Sequence, residues 1–219
     1  MFRAAPKAMV SSMSAPGPAR QRNRRGQGDR LRADIVRAAA DLLARPGDND
    51  ALSLRAVARE AGVTAPSVYL HFAGKAELVE AVLRERFSEL AAAMEAAAAE
   101  LDDPAERLMA RGHAFVDFGL AHPGHFKVMY EGPDLAEFRQ VPWPGNGRGI
   151  QDRVEADVAA LVAAGRIPPT DPTRIALLLW QGLHGVIALR ISRPGVAWGP
   201  VREDTEIMVR GLVGEGVTG

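Results

Sequence analysis

The stretch LSLRAVAREAGVTAPSVYLHF, residues 52–72, constrains this chain more than any other. It reads as a short helix, a glycine turn and a second short helix, which is the pattern of a helix-turn-helix and points to DNA. Ser53 is placed to cap the first helix, accepting backbone N–H groups that have no intrahelical partner. Leu54, Val57, Ala58 and Ala61 recur at helical spacing and form one apolar face, with Arg55, Arg59 and Glu60 on the others. Gly62 stands where the chain must enter the left-handed region to stop the helix, and Val63 plugs the space between the two helices. Thr64 is set to cap the second helix, 65–72, and Pro66 falls in its first turn, where a missing N–H is harmless. This second helix buries Val68 and Phe72 and leaves Ala65, Ser67, Tyr69 and His71 facing outward. A small N-terminal end lets a helix approach base edges, while hydroxyl and imidazole groups reach phosphates. An ordinary helical hairpin in an all-α core is the competing reading, and the agreement of caps, glycine and small residues speaks against it.

Charge supports this placement only once it is divided. The formal net charge is +0, which taken alone argues against a nucleic-acid partner. Residues 1–75, however, hold 13 Lys and Arg against 6 Asp and Glu, whereas residues 76–219 hold 14 against 21. A basic N-terminal region meets phosphates and an acidic remainder does not. Within it, residues 1–28 are rich in Ala, Pro, Ser, Gly and Arg and lack periodicity, so they read as a disordered arm. Arg20, Arg22, Arg24 and Arg25 of that arm are suited to the minor groove or the backbone, or to nonspecific affinity alone. Met1, Met9 and Met13 all offer start sites.

The rest of the chain reads as helices without a strand pattern or internal repeat. Helices are expected over 29–43, 75–100, 103–121, 125–130, 147–164, 172–192 and 201–212, with loops at 45–50, 131–145 and 194–200. Residues 122–124, His-Pro-Gly, read as a break. The chain lacks cysteine, so disulfides and thiolate metal sites are excluded. No apolar run reaches the ~18–20 residues that span a membrane, and the N-terminus has no apolar signal region. A cytoplasmic protein with no membrane partner is the resulting expectation.

The run 32–87 resembles the N-terminal domain of TetR-type transcriptional regulators. The marks are the apolar face of the first helix, LSLRAVAREAGV, VYLHF and the following GKAELVEAV. WQGLHGV (180–186) and HPGHFKVMY (122–130) also resemble a C-terminal subtype named for its Trp, His and Gly. The resemblance implies an all-α chain with a DNA-binding head at 29–75 and a larger ligand-binding and dimerisation body at 76–219. It implies a homodimer joined through Pro172–Ser192 and 201–212, a palindromic double-stranded operator, and repression relieved by a small-molecule effector. The 172–192 helix, apolar on most of its circumference, fits that role, because such a helix must be covered on all sides.

Matching positions place Thr64, Ala65, Pro66 and Ser67 nearest the bases. Tyr69, His71 and Lys75 fall on phosphates, joined by Ser53 and Arg55 at the start of the preceding helix and Arg25 in the arm. For a ligand, the candidates are Phe87, Met94, Phe115, Phe118, Phe126, Met129, Tyr130, Trp180 and His184. Aromatics and methionines at helical spacing are more often plain core. Trp180 and His184 stand out, one turn apart in an apolar helix where an imidazole needs a polar partner. His113 and Asp117, four apart, with His122 and His125 nearby, raise a metal-responsive alternative, yet no full ligand set is fixed and no metal or cofactor is expected. A constitutive or architectural DNA-binding protein is the other alternative. The chain contains no nucleophile elbow, phosphate-cradling loop or zincin motif, and an enzyme is not expected.

Overall fold

A computed structural model describes residues 27–45, 52–130 and 147–214. They form α1 (Gln27–Leu43), α2 (Leu54–Glu60), α3 (Ala65–Tyr69), α4 (Lys75–Ala98), α5 (Pro104–Ala121), α6 (Pro123–Tyr130), α7 (Gly147–Ala163), α8 (Pro172–Ser192) and α9 (Val201–Val213). The described residues contain no strand, and the fold is all-α. Arg25 and the rest of the basic arm, the 46–50 loop and the 131–145 loop lie outside the described residues.

Local sequence accounts for several of the helix ends. Ser53 accepts the Ala56 N–H at 3.1 Å, Asp103 accepts those of Ala105 and Glu106, and Asp171 accepts that of Thr173. At the end of α2 the chain turns left-handed at Gly62 (φ 67°), so that the Gly62 N–H reaches Arg59 O and the Val63 N–H reaches Ala58 O. These paired bonds satisfy carbonyls the helix would otherwise leave open. Several boundaries differ from the sequence expectation by one to three residues, three of them at helices that bear on the candidate site. Helix α1 starts at Gln27, two residues early. Helix α3 stops at Tyr69 rather than 72, because the N–H groups of His71 and Phe72 both turn onto Val68 O. Helix α6 starts at Pro123, so the break before it is the single residue His122; proline suits a first helical turn, and glycine follows it for a packing reason given below.

Helix α1 packs against both α2 and α4, and α2 packs against α3; together these helices bury Ile35, Val57, Val68, Phe72, Leu78 and Val82. The same buried cluster continues down α4 through Phe87, Leu90 and Met94 into α5, α6 and α8. A second cluster, built on Leu108, Val158, Leu161, Leu179 and Val209, closes the far end of the body where α5, α7, α8 and α9 meet.

Helix α8 departs from the sequence reading in its hydropathy. It is 21 residues long and apolar enough to cross a membrane by length and composition, which the count of uninterrupted apolar residues missed, because Gln181 and His184 interrupt the run without lowering its average much. It is also not covered on all sides within one chain. Ala176, Leu179, Leu183 and Ile187 are buried, while Leu178 and Leu189 remain 37% and 50% exposed.

Close approaches of backbone set the body's tightest seams. A Cβ on Gly119 of α5 would lie 2.8 Å from two Ile187 atoms of α8 and 3.0 Å from the Phe126 ring of α6. Gly119→Ala should therefore destabilise the chain by about 1–3 kcal/mol despite alanine's better helix propensity. Gly112→Ala, whose nearest neighbour would be a Val209 methyl at 3.3 Å, should cost less. Urea unfolding of the two variants beside the parent measures both, and equal stabilities would contradict this packing.

Candidate nucleic-acid interface and effector core

Helix α3 presents its residues to solvent by a simple division. Val68 is fully buried and Phe72 almost so, with the Arg32 guanidinium 4.8 Å above the Phe72 ring. Thr64, Pro66 and Tyr69 are exposed, and Ala65, Ser67 and His71 are half-buried. Thr64 heads the helix but makes no side-chain cap; its hydroxyl lies 2.8 Å from that of Ser67 instead. Two hydroxyls and an unencumbered first turn thus share one end of α3. Arg55 and Ser53 are exposed beside it on α2, although the Ser53 hydroxyl is already committed to the cap. Lys75 opens α4, whose start is fixed by Glu77 accepting the Ala73 N–H at 2.7 Å.

Leu70 was not among the sequence candidates, since an apolar residue in a helix counts first as core. It is the cap residue of α3, stands 85% exposed beside Tyr69, and suits contact with a sugar or a thymine methyl.

In the body, most of the proposed ligand residues meet. Tyr130 is their centre: its ring lies 5.6 Å from Phe87, 6.1 Å from Phe115, 4.7 Å from Phe126, 6.1 Å from Trp180 and 5.0 Å from His184. The Trp180 indole N–H donates to the Tyr130 hydroxyl, yet burial prevails and pushes that phenol well above its ordinary range. Met94 and Met129 are buried in the same cluster. Phe118 is not brought in; it packs edge-on against His122 at 5.1 Å.

The histidines do not converge. His113 approaches Glu206 of α9 at 3.7 Å, Asp117 accepts a hydrogen bond from Arg202, and the His122 and His125 rings sit 5.9 Å apart at the opposite end of α5. His125 faces the head: its Nε2 is 4.0 Å from Asp41 of α1. Beside it, a Cβ on Gly124 would run into the Ala44 carbonyl, so α6 lies directly on the end of α1. One short helix therefore touches the head with its first turn and the aromatic core with its last.

Burial disfavours the charged forms of His113 and His125 and lowers both from 6.5; Arg202 reinforces this at His113 against Glu206 and Asp117, and Arg86 and His122 reinforce it at His125 against Asp41. The unfolded chain then binds more protons, and stability should fall as pH drops below 6.5 toward the lowered folded values. Unfolding midpoints between about pH 5 and about pH 7.5 should show that slope, reduced in His125→Gln; an unchanged slope in the variant would remove His125 from it.

These features define a helix-turn-helix DNA-binding regulator with a larger helical body. The family model described as bacterial regulatory proteins, tetR family, matches residues 35–82, and that for a tetracyclin repressor-like C-terminal domain matches 108–212. The HTH-type transcriptional activator FasR of Mycolicibacterium smegmatis is 30% identical over 118 residues, 52% of this chain. The match spans 53% of FasR, about half its length. A protein of unknown function from Rhodococcus sp. RHA1 superposes with a TM-score of 0.70 at 30% identity, over 89% of this chain and 100% of that one. FadR from Bacillus subtilis in complex with stearoyl-CoA shares the fold, with a TM-score of 0.69 at 15% identity over 83% of this chain and 97% of its own. The chain belongs to the TetR family of transcriptional regulators.

Proposed function

We propose that two copies of the chain pair through α8 and α9, hold a palindromic operator with one α3 in each major groove, and release it when a small molecule enters the body. The observation that carries the DNA-reading part is the face of α3, where Thr64, Pro66, Tyr69 and Leu70 project while Val68 and Phe72 anchor the helix from behind. Thr64, Ala65, Pro66 and Ser67 meet base edges; Tyr69, His71, Lys75 and Arg55 meet phosphates, with Arg25 following the backbone from the arm and Ser53 acting chiefly as the cap that fixes α2.

The pairing surface follows from what one chain leaves open. Leu178 and Leu189 on α8 and Ile207 on α9 are exposed, and a Cβ at Gly185 or Gly211 would meet nothing within 4 Å. A second copy covers this apolar face without a membrane. The effector occupies the core around Phe87, Phe115, Phe126, Met129, Tyr130, Trp180 and His184, with Phe118 and His122 at its edge. The FadR structure, holding stearoyl-CoA in the same fold, is consistent with an acyl compound as the class to screen first. Displacing Tyr130 moves α6, and α6 pushes on Ala44 and Asp41 of the head. Ligand and operator then oppose each other by the same factor. Whether release raises or lowers transcription depends on where the operator lies; FasR carries the name of an activator.

Fluorescence anisotropy with the chain's own upstream DNA tests the reading: tight binding lost on scrambling supports it, and equal affinity for both DNAs contradicts it. Lys75→Ala should weaken binding to every sequence and reduce the salt slope by about one; a loss confined to one sequence would contradict its phosphate role. Leu178→Asp should shift the protein toward monomer in sedimentation and weaken operator binding with it, while an unaltered dimer would move the interface elsewhere.

A further inference from the structure

The α4–α5–α7 junction holds a polar cluster that neither the DNA interface nor the aromatic core uses. Arg111 of α5 is only 8% exposed. It donates to Asp157 of α7, itself buried, and to Glu95 of α4 at 3.1 Å. Arg107 shares the same Asp157 at 2.8 Å, and Arg153 shares the same Glu95 at 3.0 Å. Three guanidiniums are thus served by two carboxylates. Arg107 makes up part of its own deficit on the carbonyls of Leu101 and Asp102. Arg111 does not: its Nε–H is buried without an acceptor. A buried charged donor left open costs more than a made bond returns, and such a group marks a missing partner.

The residue that carries this open donor also lines a crevice. Arg111, Glu95 and Arg153 line it together with Ala91, Met94 and Ile150; its space of about 150 Å³ is partly open to solvent and too narrow for a water molecule while the side chains stay as they are. Its covering groups are the movable ones: Glu95 and Arg153 are 41% and 46% exposed. The polar mouth also leads inward. Ala91 is one turn from Phe87 on α4, and Arg111 is one turn from Phe115 on α5, so both walls run from the charged mouth toward the aromatic core.

We infer that the effector is an amphipathic molecule with an anionic oxygen head, a carboxylate in the first instance, and that Arg111 and Arg153 hold this head after it displaces Glu95. The apolar tail lies along Ala91, Met94 and Ile150 toward Phe87 and Phe115. The inference rests on the reading that the body takes an effector and names the chemistry of its polar end. Glu95 is the built-in competitor: it keeps the guanidiniums neutralised when no ligand is present and swings to solvent when one arrives.

Calorimetric titration of the full-length protein without DNA tests it, with decanoate, decan-1-ol and acetate as probes. Decanoate should bind about tenfold more tightly than decanol, the worth of one charge-assisted pair, and more tightly than acetate. Glu95→Gln should tighten decanoate several-fold and leave decanol unchanged, whereas Arg153→Gln should weaken decanoate. Both positions are at the surface, so folding is preserved where truncating Arg111 would strand Asp157. Equal affinity for decanoate and decanol, indifference of decanoate to both variants, or no decanoate binding to either parent or Glu95→Gln would each overturn the assignment. Acetate binding as tightly as decanoate would replace the amphiphile by a free small anion. Because DNA is absent, the outcome stands apart from the regulatory reading: decanoate that binds as described yet leaves operator affinity unchanged defeats that reading alone.

Discussion

Helix α4 contributes side chains to two assemblies without a gap between them. Leu78, Val79, Val82 and Leu83 complete the head; Phe87, Leu90 and Met94 complete the body, and all belong to one continuous buried cluster. A domain joined by an exposed linker can reorient at little energetic expense. A shared core cannot, because packed interiors have few alternative arrangements of similar energy. Helix α4 therefore cannot shift in the body without disturbing the core it shares with the head.

Helix α6 adds a second strut. It is eight residues long, fixed at one end by the absence of a side chain at Gly124 against Ala44 and at the other by the five rings around Tyr130. The aromatic core is thus joined to the head through both α4 and α6. His125 belongs to this strut, and its lowered proton affinity follows first from burial, with Asp41 acting in the opposite direction.

The helix-turn-helix was legible residue by residue because its determinants are local. Ser53, Gly62 and Pro66 act on backbone groups within a few positions of themselves, and the apolar period of α2 assigns its faces directly. The aromatic core was legible only as an inventory: Phe87, Phe115, Phe126, Tyr130, Trp180 and His184 were visible as residue types, and Phe118 was grouped with them although it points to His122. The Arg107–Arg111–Asp157–Glu95 cluster went unseen. Its bonds to Asp157 join residues 46 to 50 positions apart across α5 and α7, its bond to Glu95 reaches back 16 positions to α4, and a charged side chain on a helix reads as solvated until a third helix covers it.

By itself, the sequence determined the all-α class, the DNA-reading element, its caps and the long apolar helix that one chain leaves partly uncovered. It could do so because helix period, capping and turn chemistry are short-range. Only the tertiary structure decided that head and body share a core, that α6 begins at Pro123 so that Gly124 can lie on α1, and that a guanidinium is buried with one donor open. Those outcomes depend on which faces meet, and the meeting of faces is set by packing between residues far apart in the chain.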